Sequence, residues 1–168
     1  LLDGTAQIAN SSRQMKKEEV EQAKAKGITP VEHTVAVDCI VPIVHPSNPV
    51  TDLTVDQLKG IYTGKITNWK EVGGPDKPIA VVGRDTSSGT FEVWEGKILK
   101  KEPVTPRDLI VASSGAVIQT VAKNPLALGY DSLGYVDTSS VKALKIAGVE
   151  GTPQTARGGR FATSRKLY

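Results

Sequence analysis

The sequence predicts an α/β protein in which short buried strands alternate with helices. Residues 79–82 form a short β-branched run opened by a proline, which is typical of a buried strand. Apolar residues then recur at helical spacing over 91–98. A further helix is predicted to begin at 113–114, and a strand follows at 128–130. This alternation favours a doubly wound α/β lobe.

The first 44 residues predict two strands and a helix. Residues 7–10 are a short strand candidate, and residues 16–26 are expected to form a helix that ends at Gly27. Residues 31–44 are almost continuously apolar, which indicates a long buried strand. Asp38 interrupts this run. A lone acid there favours either a hydrogen-bonded bend or a ligand-binding role, because a buried carboxylate needs donors.

The middle of the chain carries clear helix and turn signals. Thr54 and Gln57 have the spacing of a capping box, so a helix is expected from there to Gly64. Residues 68–78 are rich in turn-forming residues and read as a connector, within which Trp69 is expected to pack in the core. Residues 141–146 and 165–168 are expected to be strands that return to the first part of the fold.

Composition narrows the class of function. The hydrophobic fraction is 39% and the charged fraction 23%, as in globular domains. No apolar run approaches the roughly 20 residues needed to cross a bilayer. The net charge of +3 is modest, lysines alternate with acids, and aromatic residues make up only 5%. A nucleic-acid partner is therefore not expected.

Soft metal ligands and reactive thiols are scarce. Cys39 is the only cysteine, and His33 and His45 are the only histidines. We therefore expect no metal site and no cofactor. Cys39 lies between valines and isoleucines, so it is interpreted as a small core residue.

The loop between the strand at 79–82 and the following helix has the composition of an oxyanion cradle. Arg84 offers a planar pair of donors, Ser87, Ser88 and Thr90 offer hydroxyls, and Gly89 allows close approach to the backbone. The loop precedes a helix, where free N–H groups and the helix dipole favour anions. An ordinary N-cap explains the same residues. The spacing is neither that of a P-loop nor that of a dinucleotide fingerprint.

Two further segments place hydroxyls where strands and helices meet. Ser11 and Ser12 stand beside Arg13 at the end of the first strand candidate. Ser114 is placed either to cap its helix or to donate to a ligand.

Several strings, taken in order, resemble the phosphate-binding proteins of bacterial phosphate ABC transporters. They are Asp3-Gly4-Thr5-Ala6, Ser11-Ser12-Arg13, Leu53-Thr54, Gly64-Lys65-Ile66-Thr67-Asn68-Trp69, Arg84 with Ser88-Gly89-Thr90, Gly129-Tyr130, and Ser164-Arg165 to Tyr168. The resemblance covers nearly the whole chain. It implies a fold like that of type II periplasmic binding proteins, with two doubly wound lobes that close on one phosphate.

The resemblance also implies a division of the site. Arg84 and residues 88–90 would form the half contributed by the second lobe, and residues 11–13 the half contributed by the first; Ser87 is a further ligand candidate in the same loop. Some family members carry an aspartate where this chain has Arg13, and that acid accepts the phosphate proton. We therefore expect Asp38 to act as the acceptor here, because it is the acid nearest the first-lobe end of a crossing strand.

Compared with the family, the chain starts after the first strand and two glycine-serine loops. The expected division is a partial first lobe at 1–42, a second lobe at 43–136, and a return to the first lobe at 137–168. We expect a first lobe that is incomplete, a chain that lacks the natural N-terminus, and a fragment that self-associates or needs the missing segment.

The resemblance implies a solute-binding protein that catalyses no reaction and hands phosphate to the membrane permease of an ABC transporter. It further implies a periplasmic location or an extracellular lipoprotein anchor. Three alternatives remain: a receptor for sulfate or molybdate, an enzyme acting on phosphate esters, and a sensor or adhesion module that has lost transport.

Overall fold

The computed structural model describes all of residues 1–168 and is built around one mixed sheet of six strands. The helices are α1 (Lys17–Ala25), α2 (Val55–Tyr62), α3 (Gly89–Trp94), α4 (Ser114–Lys123) and α5 (Pro153–Arg157). The strands are β1 (Ala36–Val44), β2 (Asp52–Leu53), β3 (Ala80–Arg84), β4 (Leu109–Val111), β5 (Ala127–Ser132), β6 (Lys142–Ala143), β7 (Lys145–Ile146) and β8 (Ser164–Leu167). Short 3-10 turns cover Trp69–Val72 and Leu133–Tyr135, and a π-helical turn, Glu95–Leu99, continues α3.

The long strand β1 connects the two parts of the sheet. The order is β4-β3-β5-β1-β6, and β8 also pairs with β1. β3 runs parallel to β4 and β5, whereas β1 is antiparallel to β5 and β8. The N-terminal half of β1 pairs with β8 and its C-terminal half with β5. β1 is buried from Cys39 onward, which includes the whole half that pairs with β5, and its run of β-branched residues suits this burial.

An aromatic cluster lies beneath the start of α3. The rings of Trp94 and Tyr130 stack with centroids 4.4 Å apart, and Tyr62 packs edge-on against both at 5.5 Å. The Tyr62 hydroxyl donates to the carbonyls of Val82 and Leu128. This cluster fixes β3, β5 and α3 relative to one another, and Trp69 is buried as expected.

Several sequence predictions of local structure are wrong in detail. Residues 7–10 form no strand; all four are exposed, Ile8 included, so the segment buries no apolar face. Only Ser11 pairs with the main chain of Tyr168, through two hydrogen bonds of 2.7 and 2.9 Å. The strand predicted over 31–44 begins at Ala36, and Val31 and Val35 are exposed.

The predicted strand at 141–146 is divided between two sheets. β6 pairs with β1, whereas β7 pairs in parallel with β2 in a separate two-stranded sheet. None of the helices combines the length and apolar composition required to cross a bilayer. The predicted boundaries at residues 42 and 136 stay a prediction.

Candidate functional site

The candidate site lies where the parallel strands β3, β4 and β5 end. Their carboxyl ends share one edge of the sheet, so the segments that follow them meet there. Arg84 is the last residue of β3, Ser114 follows β4 and begins α4, and Asp131 lies near the end of β5. Open α/β sheets bind ligands at this edge.

The cradle predicted after β3 has unoccupied backbone donors. The Ser88 hydroxyl caps α3 by accepting the N–H of Phe91 at 3.3 Å, so the expected capping role is present. The N–H groups of Gly89 and Thr90 donate to no protein atom. Since the helical run continues to Leu99, these two amides lie at the positive end of its dipole. The cap therefore leaves the N–H groups of Gly89 and Thr90 without a protein acceptor.

Two nitrogens of the Arg84 guanidinium donate to protein atoms, whereas the third has no acceptor. Its Nη1 donates to Ser114 Oγ at 3.3 Å and its Nη2 to the carbonyl of Ala112 at 3.4 Å. Its backbone N–H donates to the hydroxyl of Tyr130, which ties the cradle to the aromatic cluster. The Nε of Arg84 is buried and has no acceptor. Unpaired buried donors are rare in native folds, and this one is able to donate to a water or a ligand oxygen.

Three buried side-chain polar atoms lack a partner: Arg84 Nε, Trp94 Nε1 and Asp131 Oδ2. Two of them, on Arg84 and Asp131, belong to residues joined through Ser114, and the third lies on the helix that begins at the cradle. Unsatisfied polar groups are thus concentrated around this site.

A second arginine supports the cradle from β8. The Nη1 of Arg165 donates to Thr90 Oγ1 at 3.2 Å. Its Nε and Nη2 both contact Asp38 Oδ2 at 2.9 Å, in a pair whose side chains are 7% and 9% exposed. Because Thr90 accepts from Arg165, its own hydroxyl proton remains available. Asp38 therefore reaches the cradle through Arg165, and its Oδ2 already accepts two bonds.

Ser12 brings the N-terminal segment against the cradle. A β-carbon built on Gly89 would lie 1.9 Å from Ser12 Oγ and 3.2 Å from Ser12 Cβ, so a larger residue would require Ser12 to move. The hydroxyl of Ser12 has no hydrogen-bond partner in the protein. The neighbouring Ser11 hydroxyl donates to the carbonyl of Arg13 at 2.7 Å. Ser12 is the member of this pair that is free to bind a ligand.

Arg13 is engaged by carboxylates. Its Nη1 and Nη2 donate to the two oxygens of Glu19, at 2.9 and 2.8 Å, and Nη1 also donates to the carbonyl of Gln14. Its Nε lies 2.8 Å from Glu92 on α3, whose other oxygen contacts Lys16 at 3.1 Å. The Arg13 guanidinium lowers the pKa of Glu19 to about 2 through their hydrogen bonds. Arg13 thus links the N-terminal segment to α3.

Ser87 is exposed and turned towards Asp85. Its hydroxyl and its N–H both donate to the Asp85 carboxylate, and these bonds lower the pKa of that carboxyl. Of the hydroxyls predicted in this loop, Ser87 is the one whose proton is already donated within the protein.

Sequence reasoning missed Asp131 and gave Arg165 no role. Asp131 is fully buried, and burial raises the pKa of its carboxyl. The position of Asp131, an acid directly after the predicted strand at 128–130, could have identified it as a candidate site residue. Its partner could not be predicted, because that depends on the position of α4 against β5.

Comparison with known proteins agrees with this architecture. The profile of the PBP superfamily domain matches residues 1–168. This chain belongs to the PBP superfamily. Within the superfamily, the chain is similar to the phosphate-binding protein PstS of Bacillus subtilis, with 38% identity, and to that of Borreliella burgdorferi, with 35%. Each match covers 95% of this chain, but only 51% and 59% of those relatives.

Solved structures of the superfamily give the same picture. A Clostridium perfringens protein, described as a phosphate ABC transporter substrate-binding protein with bound phosphate, superposes with a TM-score of 0.89 at 42% identity. An ABC-type phosphate transport receptor of Vibrio cholerae gives 0.79 at 35% identity. The two superpositions cover 99% and 98% of this chain, and each covers 66% of the other protein's chain. The α/β fold predicted from the sequence, and its likeness to periplasmic binding proteins, are confirmed.

Proposed function

We propose that this chain binds inorganic phosphate as part of the solute-binding component of an ABC transporter. The observation that carries the proposal is a set of donors without a protein acceptor in one loop: the backbone N–H groups of Gly89 and Thr90 and the buried Nε of Arg84. Such donors suit the oxygens of a tetrahedral anion. The relatives named as phosphate-binding proteins support phosphate as that anion.

In this proposal the second-lobe half of the site consists of Arg84, Ser88, Gly89 and Thr90. Ser12 contributes a hydroxyl from the first-lobe half. Ser11, Arg13 and Ser87 were expected to be ligands as well, but their side chains bond to other protein atoms. For them to bind phosphate, those bonds would have to exchange when the anion enters.

Asp38 is proposed as the acceptor of the phosphate proton, through Oδ1, since Oδ2 receives Arg165. Hydrogen phosphate can donate a proton to a carboxylate, whereas sulfate offers only lone pairs. A mismatched buried charge costs about 2 to 5 kcal/mol, equivalent to ~30-fold to several-thousand-fold discrimination. We expect Asp38→Asn to weaken rejection of sulfate. Unchanged selectivity in that variant would remove Asp38 from this role.

The wider role is also a proposal. Contacts from both lobes would favour a closed state, which a membrane permease would recognise, and the anion would be released unchanged. The protein would act in the periplasm or, with a lipid anchor, at the outer face of a bacterial membrane. In this proposal the lobe boundaries lie at residues 42 and 136.

A receptor for sulfate or molybdate is the second candidate. It is favoured by the ion pair between Asp38 and Arg165, which occupies Oδ2 of Asp38. This pair reduces the number of free acceptors for a phosphate proton.

A competition titration distinguishes the two candidates. The longest natural protein that carries these residues would be titrated with phosphate, sulfate and arsenate at two pH values. The proposal predicts tight binding of phosphate and arsenate and rejection of sulfate at both. Preference for sulfate would assign the second candidate, and absence of oxyanion binding would overturn both.

A further inference from the structure

Asp131, which is linked to Arg84 through Ser114, has a buried carboxylate with one oxygen that accepts no hydrogen bond. Asp131 is 0% exposed; its Oδ1 accepts the Ser132 N–H at 2.7 Å and the Ser114 hydroxyl at 2.9 Å. Its Oδ2 is buried and receives no donor. A buried carboxylate in this condition destabilises a fold relative to an apolar residue of the same size. Its presence at the edge of the sheet therefore points to a function in the site.

The hydrogen bonds between these residues can run in one direction only. A guanidinium donates and never accepts, so Ser114 Oγ must accept from Nη1 of Arg84. The single proton of that hydroxyl then goes to Asp131 Oδ1. Asp131 thereby fixes the orientation of the hydroxyl that holds Arg84.

Helix capping does not explain Ser114. The cap of α4 is the preceding residue, Ser113, whose hydroxyl accepts the N–H of Ala116 at 3.2 Å. Ser114 is the first residue within the helix. Its hydroxyl forms two hydrogen bonds, one with Arg84 and one with Asp131. The Ser114 hydroxyl therefore holds the Arg84 side chain and does not cap α4.

We propose that Asp131, acting through Ser114, is a positioning residue that holds the Arg84 guanidinium in place to bind the oxyanion. The proposal rests on the proposed function, because it assumes that Arg84 binds the ligand. Charge-assisted hydrogen bonds of this kind change binding more than neutral ones do.

The first test compares two adjacent serines in the longest natural protein that carries these residues. Ser114→Ala should raise the Kd for phosphate about tenfold, since one of the two hydrogen bonds that hold the Arg84 guanidinium is lost. The matched control, Ser113→Ala, should lower the melting temperature through loss of the cap but leave Kd within about twofold. Equal Kd values for wild type and Ser114→Ala would overturn the positioning role.

The second test separates positioning from a general structural effect. In an Arg84→Lys background, where the guanidinium is absent, Ser114→Ala should change Kd by less than about twofold. Asp131→Ala should match Ser114→Ala and add nothing to it, whereas Asp131→Asn keeps an acceptor for Ser114 and should stay within about threefold of wild type. The same tenfold loss in the Arg84→Lys background would contradict the proposal.

Failure of the proposed function gives a different result. If the wild-type protein binds none of phosphate, sulfate or arsenate, the proposed function and the positioning role of Asp131 are both wrong. If it binds one of them and Ser114→Ala binds equally well, only the positioning role falls.

Discussion

At the scale of single residues, Gly89 is where the N-terminal segment meets the cradle. Its hydrogen atoms allow Ser12 to lie against the first turn of α3, beside two free amides. A side chain at this position would displace the Ser12 side chain from the first turn of α3.

We predict that Gly89→Ala weakens phosphate binding at least tenfold, because the new methyl group would lie 1.9 Å from Ser12 Oγ. Gly115→Ala is the matched control. That glycine also lies in the first turn of a helix, and a β-carbon there would meet nothing within 4 Å. Calorimetric titration of both variants checks the prediction; equal affinities would contradict the proposed contact.

The only cysteine is predicted to be unreactive in the folded protein. Cys39 is buried in β1, and burial raises the pKa of its thiol to about 11. The reactive thiolate is therefore scarce at neutral pH. A thiol reagent added at pH 8 should label the protein only after denaturant is added. Rapid labelling of the native protein would show that β1 is accessible.

At the scale of elements, ion pairs connect the N-terminal segment to α3. Glu92 contacts both Arg13 and Lys16, and Arg13 also holds Glu19 of α1. These side chains are 27% to 53% exposed, so each pair contributes modestly and depends on salt.

Glu92→Gln should therefore accelerate phosphate release about threefold at low ionic strength, since the N-terminal segment is held less firmly on α3. The effect should fade as salt is added. Glu95→Gln is the control, because Glu95 lies in the next turn and forms no ion pair. Stopped-flow measurements of release at two salt concentrations test this, and equal rates for wild type and Glu92→Gln at low salt would exclude the link.

The elements that were predicted best are those in which a local sequence pattern coincides with burial of the segment. β3 and β5 follow β-branched or apolar runs, and α2 follows its capping box, which the structure contains as predicted. The segment 7–10 failed because a short run without a buried face has no reason to pair. In the site, the composition of the loop predicted the cradle, but the contacts of Asp131 depend on how α4 packs on β5.

At the scale of the whole molecule, apolar side chains remain exposed in the part of the chain that precedes β1. Ile8, Val31 and Val35 are between 71% and 84% exposed. Exposed apolar side chains of this kind favour association with other protein surfaces.

We predict that the 168-residue chain associates as its concentration rises, with Val35→Lys shifting it towards monomer. Light scattering coupled to size-exclusion chromatography would measure this over a range of concentrations. A monodisperse monomer at every concentration would contradict the prediction, and an unchanged profile for Val35→Lys would place the contact elsewhere.

The central claim is that the loop after β3 binds a tetrahedral oxyanion through the amides of Gly89 and Thr90 and the guanidinium of Arg84. The most direct test is the anomalous signal of arsenic in crystals of the longest natural protein carrying these residues, grown with arsenate. The account predicts one strong peak whose oxygens lie within hydrogen-bonding distance of all three residues. A peak elsewhere, with the two amides bonded to protein atoms, would contradict it.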